Sequence, residues 1–166
     1  MQSTPENNLI FIAKTIFGLE EVLATELRKL GARDVELLNR AVKFTGDKGM
    51  MYKANFCLRT ALRVLVPITQ FEVQDEKSFY EGIKAINWED YLNVDDTLAI
   101  DSFLNTDLFS HSQFISQKAK DAIVDQFREK YDKRPDVNLD RPVLRINLHI
   151  YDNTCSVALD SSGASL

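Results

Sequence analysis

Between His111 and Arg145 the chain concentrates the side chains able to hold an anion. Ser112 and Gln113 open a segment that runs on through Lys118 and Lys120, and Arg134, Arg141 and Arg145 follow. Hydroxyl and amide groups at a helix start, beside open backbone N–H groups and with lysines one turn in, make a small anion site suited to a phosphate backbone. Pattern alone favours a plainer reading, an amphipathic helix whose outer face is merely charged. Asp121 and Asp125 read as partners that orient the lysines, because carboxylates facing phosphate are unfavourable. Trp88 and Tyr91 are able to stack on bases, but buried packing between two lobes is the stronger reading.

Other constellations carry less chemistry. Gly46-Asp47-Lys48-Gly49 lies between a strand and a helix and superficially resembles a phosphate loop. The length of a glycine cradle and its lysine-hydroxyl pair are missing, so a turn with Asp47 as helix N-cap is favoured. Ser161, Ser162 and Ser165 have His149 and Asp160 nearby in sequence, yet they lie in a polar tail and not at a strained strand-to-helix elbow. Glu89-Asp90 and Asp95-Asp96 read as solvated loops. Cys57 and Cys155 stand nearly a hundred positions apart, which fits neither a disulfide framework nor a zinc ligand pair, and both read as buried thiols. No catalytic, cofactor-binding or metal-binding residues emerge.

Composition bounds the rest. The 166 residues are 45% hydrophobic and 27% charged, enough for one domain or two small lobes and unlike a disordered chain. The net charge is −5, whereas a strong non-specific nucleic-acid binder is normally basic, because counterion release supplies most of its affinity. The acids are unevenly placed. From Asp75 to Asp107 there are 9 acids against Lys77 and Lys84, while Lys118 to Arg145 holds 8 bases against 6 acids. Apolar runs are far shorter than the roughly 20 residues that span a bilayer, and the N-terminus lacks a basic signal region, so a cytoplasmic protein without membrane contact is expected.

The elements that would position these residues follow from periodicity. Leu9 to Phe17 reads as a strand, and Leu19 to Leu30 as a helix stopped by Gly31. Asp34 to Leu38 and Ala41 to Thr45 pair through Asn39 and Arg40, Met50 to Leu58 is a second helix, and Ala61 to Val73 a strand in which Pro67 marks an edge or bulge. This β-α-β-β-α-β order is ferredoxin-like. Ser78 with Glu81 reads as the start of a short helix, Thr97 to Leu104 as a strand, and Ser112 to Tyr131 as a long amphipathic helix. Val143 to Tyr151 and Thr154 to Leu159 form a hairpin through Asp152 and Asn153. Alternation along the first of these strands points Arg145, Asn147 and His149 away from the core. The fold class is α+β, a ferredoxin-like lobe followed by an α/β lobe.

Several blocks now carry a resemblance. Ser112-Gln113-Phe114 leading into Lys118-Ala119-Lys120-Asp121-Ala122-Ile123-Val124-Asp125, then Arg134-Pro135, Leu144-Arg145-Ile146-Asn147 and Ala158-Leu159-Asp160-Ser161-Ser162-Gly163, resemble a THUMP domain. Gly18-Leu19-Glu20-Glu21, Glu26-Leu27, Phe44-Thr45-Gly46-Asp47 and Ala85-Ile86-Asn87-Trp88 resemble the bacterial large-subunit ribosomal RNA guanine methyltransferases.

The resemblance implies a ferredoxin-like lobe over residues 1–73 and a THUMP lobe over 74–166, which together dock ribosomal RNA. In that family a separate domain binds S-adenosylmethionine and methylates a guanine exocyclic amine. Its Asn-Pro-Pro-Tyr motif is absent, since no two prolines are adjacent. The chain is therefore expected to be truncated ahead of the methyltransferase domain, itself a partner, and to hold no cofactor of its own. RNA and not DNA is the expected nucleic acid. Ser112, Gln113, Lys118 and Lys120 are the first candidates for RNA contacts, with Arg134, Arg141 and Arg145 behind them. The competing reading is a protein-interaction or scaffold module that positions the catalytic domain without binding RNA by itself.

Overall fold

The structure, a computed structural model, describes residues 8–161. It divides into two compact units, one of residues 8–67 with 160–161 and the other of residues 68–159.

The first unit runs β1 (Leu9–Lys14), α1 (Glu20–Lys29), β2 (Arg33–Leu38), β3 (Ala41–Gly46), α2 (Lys48–Cys57) and the opening of β4 (Arg63–Glu72). Its sheet has the order β2-β3-β1-β4, antiparallel throughout. Every second residue of a strand faces one side, and Phe11 opposite Phe44 and Ala13 opposite both Val42 and Val64 put one apolar set together. The two Phe rings stack with centroids 5.4 Å apart. Leu23, Ala24 and Leu27 of α1 and Met50, Met51 and Ala54 of α2 close over them. Asp47 caps α2 as anticipated, its carboxylate accepting from the Met50 N–H at 2.7 Å, so the Gly-Asp-Lys-Gly stretch is a turn. Gly31, at φ 95°, ends α1 in a left-handed conformation that a side chain would strain. Pro67 has no N–H to give, and the β1–β4 pairing ends at Leu65, two residues before it.

The second unit comprises the remainder of β4, α3 (Glu76–Lys84), a single 3-10 turn at Trp88–Asp90, β5 (Thr97–Asn105), α4 (Ser112–Tyr131), β6 (Asp136–Val137), β7 (Leu144–Tyr151) and β8 (Thr154–Asp160). Its sheet order is β4-β8-β7-β5-β6. β5 and β7 are parallel over Leu98–Asn105, and β7 and β8 form the antiparallel hairpin, turning at Asp152 with φ 50°. Ile115, Ala119, Ala122, Ile123 and Phe127 of α4 are buried against Leu98, Leu144, Ile146, Leu148 and Ile150. Trp88 belongs to this same core and is fully buried, so its packing is inside one unit and not between lobes.

Two further expectations are corrected. The cap of α3 is Asp75, not Ser78. The Asp75 carboxylate accepts from the Ser78 N–H at 2.8 Å while the Ser78 hydroxyl accepts from the Asp75 N–H at 3.1 Å, a reciprocal box one turn earlier than expected. Asn147 is 4% exposed and therefore not available at the surface. It stands on an interior strand, with Asp101 of β5 and Ala158 of β8 as its register partners. Arg145 and His149 on the same face are half-buried.

Candidate nucleic-acid interface

α4 supplies one wall of a groove in the second unit. Its apolar stripe fixes the helix on the sheet, and the residues one step round the helix, Ser112, Gln113, Ser116, Gln117 and Lys120, share a face because they stand three or four apart. His111 is the N-cap and makes no side-chain capping bond, and no acid stands in the first turn. The first-turn amides and the positive end of the helix dipole are thus left for an anion. Opposite lie Val137 and Leu139, and between the walls run Ile100–Phe103 of β5. The space is about 590 Å³.

The floor has a specific origin. β6 pairs with β5 only at Thr97 and Leu98, and the next backbone bond on that edge runs from the Asn138 N–H to the Leu98 carbonyl, 3.0 Å. Beyond it the β5 edge has no strand partner among the described residues. The Ser102 and Ser116 hydroxyls meet at 2.7 Å across strand and helix, and Phe103 is half exposed. Hydroxyls, amides, one lysine and an accessible ring are chemistry for sugar, phosphate and base together.

The seven candidate residues divide. Ser112, Gln113 and Lys120 line the groove. Lys120 Nζ is 3.2 Å from the Asp121 carboxylate, a solvent-facing pair of the weak kind that a phosphate can displace. Arg134 and Arg141 are exposed and their guanidinium groups make no hydrogen bond or ion pair among the described residues. Lys118 does not join them. Its Nζ is 2.7 Å from Glu76 of α3 and 5.7 Å from the centre of the Tyr80 ring, and the bond to Glu76 holds its pKa above the ordinary lysine value. Asp125 accepts from the Tyr80 hydroxyl, which raises the tyrosine pKa, so Asp125 serves the α3–α4 packing and orients no lysine through an ion pair. Arg145 is engaged as well, its Nη1 3.1 Å from Asp101 and its Nη2 donating to the Leu139 carbonyl at 3.0 Å. Sequence reasoning missed Ser116, Gln117, Asp101, Ser102, Phe103 and Leu139. The first two were within reach, one helical turn after Ser112 and Gln113.

The other constellations take structural roles. Asp160 pairs with Arg63 at 3.6 Å and the Ser161 hydroxyl donates to the Val64 carbonyl at 2.7 Å, while Ser162 and Ser165 lie outside the described residues. Asp96 accepts from the Asn93 N–H at 2.6 Å. Glu89 pairs with Lys130 at 2.8 Å, and that bond holds its pKa below the usual carboxylate range, so Glu89 is tied to α4 rather than free in a loop. Cys155 is buried, whereas Cys57 is exposed because it is the last residue of α2, beyond the Met50, Met51 and Ala54 face. Among the described residues no group of His, Cys, Asp and Glu could hold a metal ion, and no helix is long and apolar enough to cross a membrane.

Residues 73–160, most of the second unit, match the THUMP domain. The chain belongs to the THUMP domain family. Residues 10–65, ahead of the THUMP domain, match the RlmL ferredoxin-like domain. A relative in Syntrophotalea carbinolica, "Ribosomal RNA large subunit methyltransferase K/L", is 40% identical over 94% of this chain and 22% of its own length. A second in Synechocystis sp., "Putative RNA methyltransferase slr0064", is 37% identical over 94% of this chain and 41% of its own length. The THUMP chain thus spans less than half of either relative. A crystal structure from Listeria monocytogenes, of "a predicted N6-adenine-specific DNA methylase", superposes with a TM-score of 0.78 over 94% of this chain and 41% of that one. At 24% identity it shows the shared fold alone.

Proposed function

We propose that this chain is the RNA-docking region of an RNA methyltransferase, which holds large-subunit ribosomal RNA while a domain outside the chain methylates a guanine exocyclic amine. The observation that carries the reading is the THUMP match over residues 73–160, in a chain 40% identical to a ribosomal RNA methyltransferase. The groove beside α4 adds a place for the RNA. Ser112 and Gln113 offer hydroxyl, amide and first-turn N–H donors to a phosphate, Lys120 supplies charge, and the exposed Arg134 and Arg141, on either side of the wall residues Val137 and Leu139 in the chain, add to it. Lys118 and Arg145, held in ion pairs, support this surface rather than contact RNA. S-adenosylmethionine is the methyl donor expected in the domain outside the chain, which is also its partner, and the work is cytoplasmic.

With a net charge of −5 and three of its seven candidates, Lys118, Lys120 and Arg145, in ion pairs, the region binds weakly, and added salt weakens it further. Fluorescence anisotropy against a large-subunit ribosomal RNA hairpin, at low and moderate salt, tests it. Binding by the native chain that weakens with salt and is lost on Lys120→Glu with Arg134→Glu supports RNA docking. No binding by the native chain at low salt favours a scaffold that positions the catalytic domain.

A further inference from the structure

We infer that Arg145 is a positioning residue that fixes one wall of the groove, the loop at residues 136–143, and this role in RNA binding rests on the docking reading above. The loop is anchored at its two ends. The Asn138 N–H reaches the Leu98 carbonyl at 3.0 Å and the Val143 N–H reaches the Thr97 hydroxyl at 3.1 Å. Inside it the Asn138 side chain accepts from the Asp140 and Arg141 N–H groups, both at 3.1 Å, which closes a local turn but ties that turn to nothing else. The wall residue is Leu139, 70% exposed, and its carbonyl is held by Arg145 Nη2 at 3.0 Å.

Arg145 is itself fixed from the strand. It lies on β7 opposite Ala99 of β5, two residues out of register with Asp101 and on the same face, and its Nη1 donates to the Asp101 carboxylate at 3.1 Å. One planar guanidinium therefore spans from the β5 floor to the loop, which a lysine ammonium cannot do in the same fork geometry. The ordered loop carries Arg141 and, just before it, Arg134. Arg145 thus gives the wall that Leu139 forms a fixed shape, in a loop that also carries Arg141, and its own charge is neutralised by Asp101.

Positioning and phosphate contact predict different salt behaviour. A residue that contacts phosphate removes about 0.7 to 0.9 from the slope of log K against log salt when it is lost. A residue that only orders the site weakens binding at every salt and leaves the slope unchanged, because no counterion count changes. Two readouts on Arg145→Met decide, amide hydrogen exchange without RNA and anisotropy against the ribosomal RNA hairpin at several salt concentrations. The expected result is faster exchange at Asn138, Asp140 and Arg141 with Ile146 and Leu148 of β7 unchanged. RNA affinity should fall by about tenfold, the scale of reordering a few side chains and a loop on binding, with the native salt slope, whereas Arg134→Met flattens the slope. Unchanged loop exchange, or a slope flattened as in Arg134→Met, overturns the inference. If the Met variant also loosens β7, Arg145→Lys keeps the charge and the stem while removing the fork, and the same readouts apply to it. Absence of RNA binding by the native chain would sink the docking reading, while exchange would still show whether Arg145 holds the loop.

Discussion

Lys118 Nζ lies 2.7 Å from the Glu76 carboxylate on α3, so a charge that the sequence offers to RNA instead joins two helices. Lys120, two residues on, turns to the groove. Residues two apart on a helix do not share a face, and the two lysines accordingly have separate consequences. Lys120→Met is expected to weaken RNA binding and to lower the salt slope by about 1. Lys118→Met is expected to leave the slope as it is and to lower the melting temperature, because Glu76 and the Tyr80 ring lose their partner. Salt-dependent anisotropy and thermal circular dichroism check both. Equal slopes for the two variants would mean that the groove is not where Lys120 acts.

Gly82 on α3 is bounded by Phe71. A Cβ placed there would fall within the ring's van der Waals envelope. Replacing glycine by alanine inside an ordinary helix stabilises by about 1 kcal/mol, but forcing the Phe71 ring aside costs about 1 to 3 kcal/mol. Gly82→Ala is therefore expected to destabilise, and urea unfolding measures the sign. A stabilised variant would show that the ring moves without cost.

Much of this arrangement is legible from residue spacing. The run from Ile115 to Phe127 places α4 over Ser112–Tyr131, as in the structure, because an apolar stripe at three- and four-residue intervals has one face to bury. The separation of Lys118 from Lys120 was implicit in the same periodicity. What escaped depends on neighbours remote in sequence. β6 is two residues long and exists only because Thr97 and Leu98 offer an edge. Asn147 alternates as an outward residue, and only the flanking β5 and β8 strands show that its side is enclosed. Ser78 looks like a cap because serine caps helices, but Asp75 is the stronger acceptor for the same donors, and the reciprocal bond moves the helix start. Arg145 carries no signal in the sequence of its pairing with Asp101, 44 positions earlier.

The two cysteines give a direct test of the packing. Burial pushes the Cys155 thiol up to about 12, while Cys57 is exposed. The thiolate is the reactive form, so iodoacetamide at pH 8 is expected to modify one cysteine in the native chain and two in denaturant, with Cys57 found by peptide mapping. Cys155 adds a pH dependence. An unfolded thiol ionises near 8.5 and the buried one does not, so between that value and about 12 the native state binds more protons and its stability falls as pH rises. Cys155→Ala is expected to remove that part of the alkaline loss. Rapid modification of Cys155 in the native chain would contradict the buried position.

Trp88 separates base stacking from core packing. It is the sole tryptophan, fully buried, and its indole Nε1 donates to the Ile83 carbonyl at 2.9 Å. Its own N–H is received by Gln126 of α4 at 3.0 Å, and the Gln126 amide donates in turn to the Lys84 and Ile86 carbonyls at 2.8 and 2.6 Å. The aromatic residue thus closes the end of α3 onto α4, where no base can reach it. Its fluorescence is expected to be blue-shifted, unquenched by iodide and unmoved by saturating RNA. Trp88→Phe keeps most of the volume and removes only the indole donor to the Ile83 carbonyl, which still accepts from the Ile86 N–H at 3.2 Å, a loss of about 1 kcal/mol. Trp88→Ala adds a cavity and is expected to cost about 3 to 5 kcal/mol. For the Phe variant, still folded, RNA affinity and salt slope should equal those of the native chain. A shift in Trp88 emission on RNA binding would return the ring to the interface and take the site away from the α4 groove.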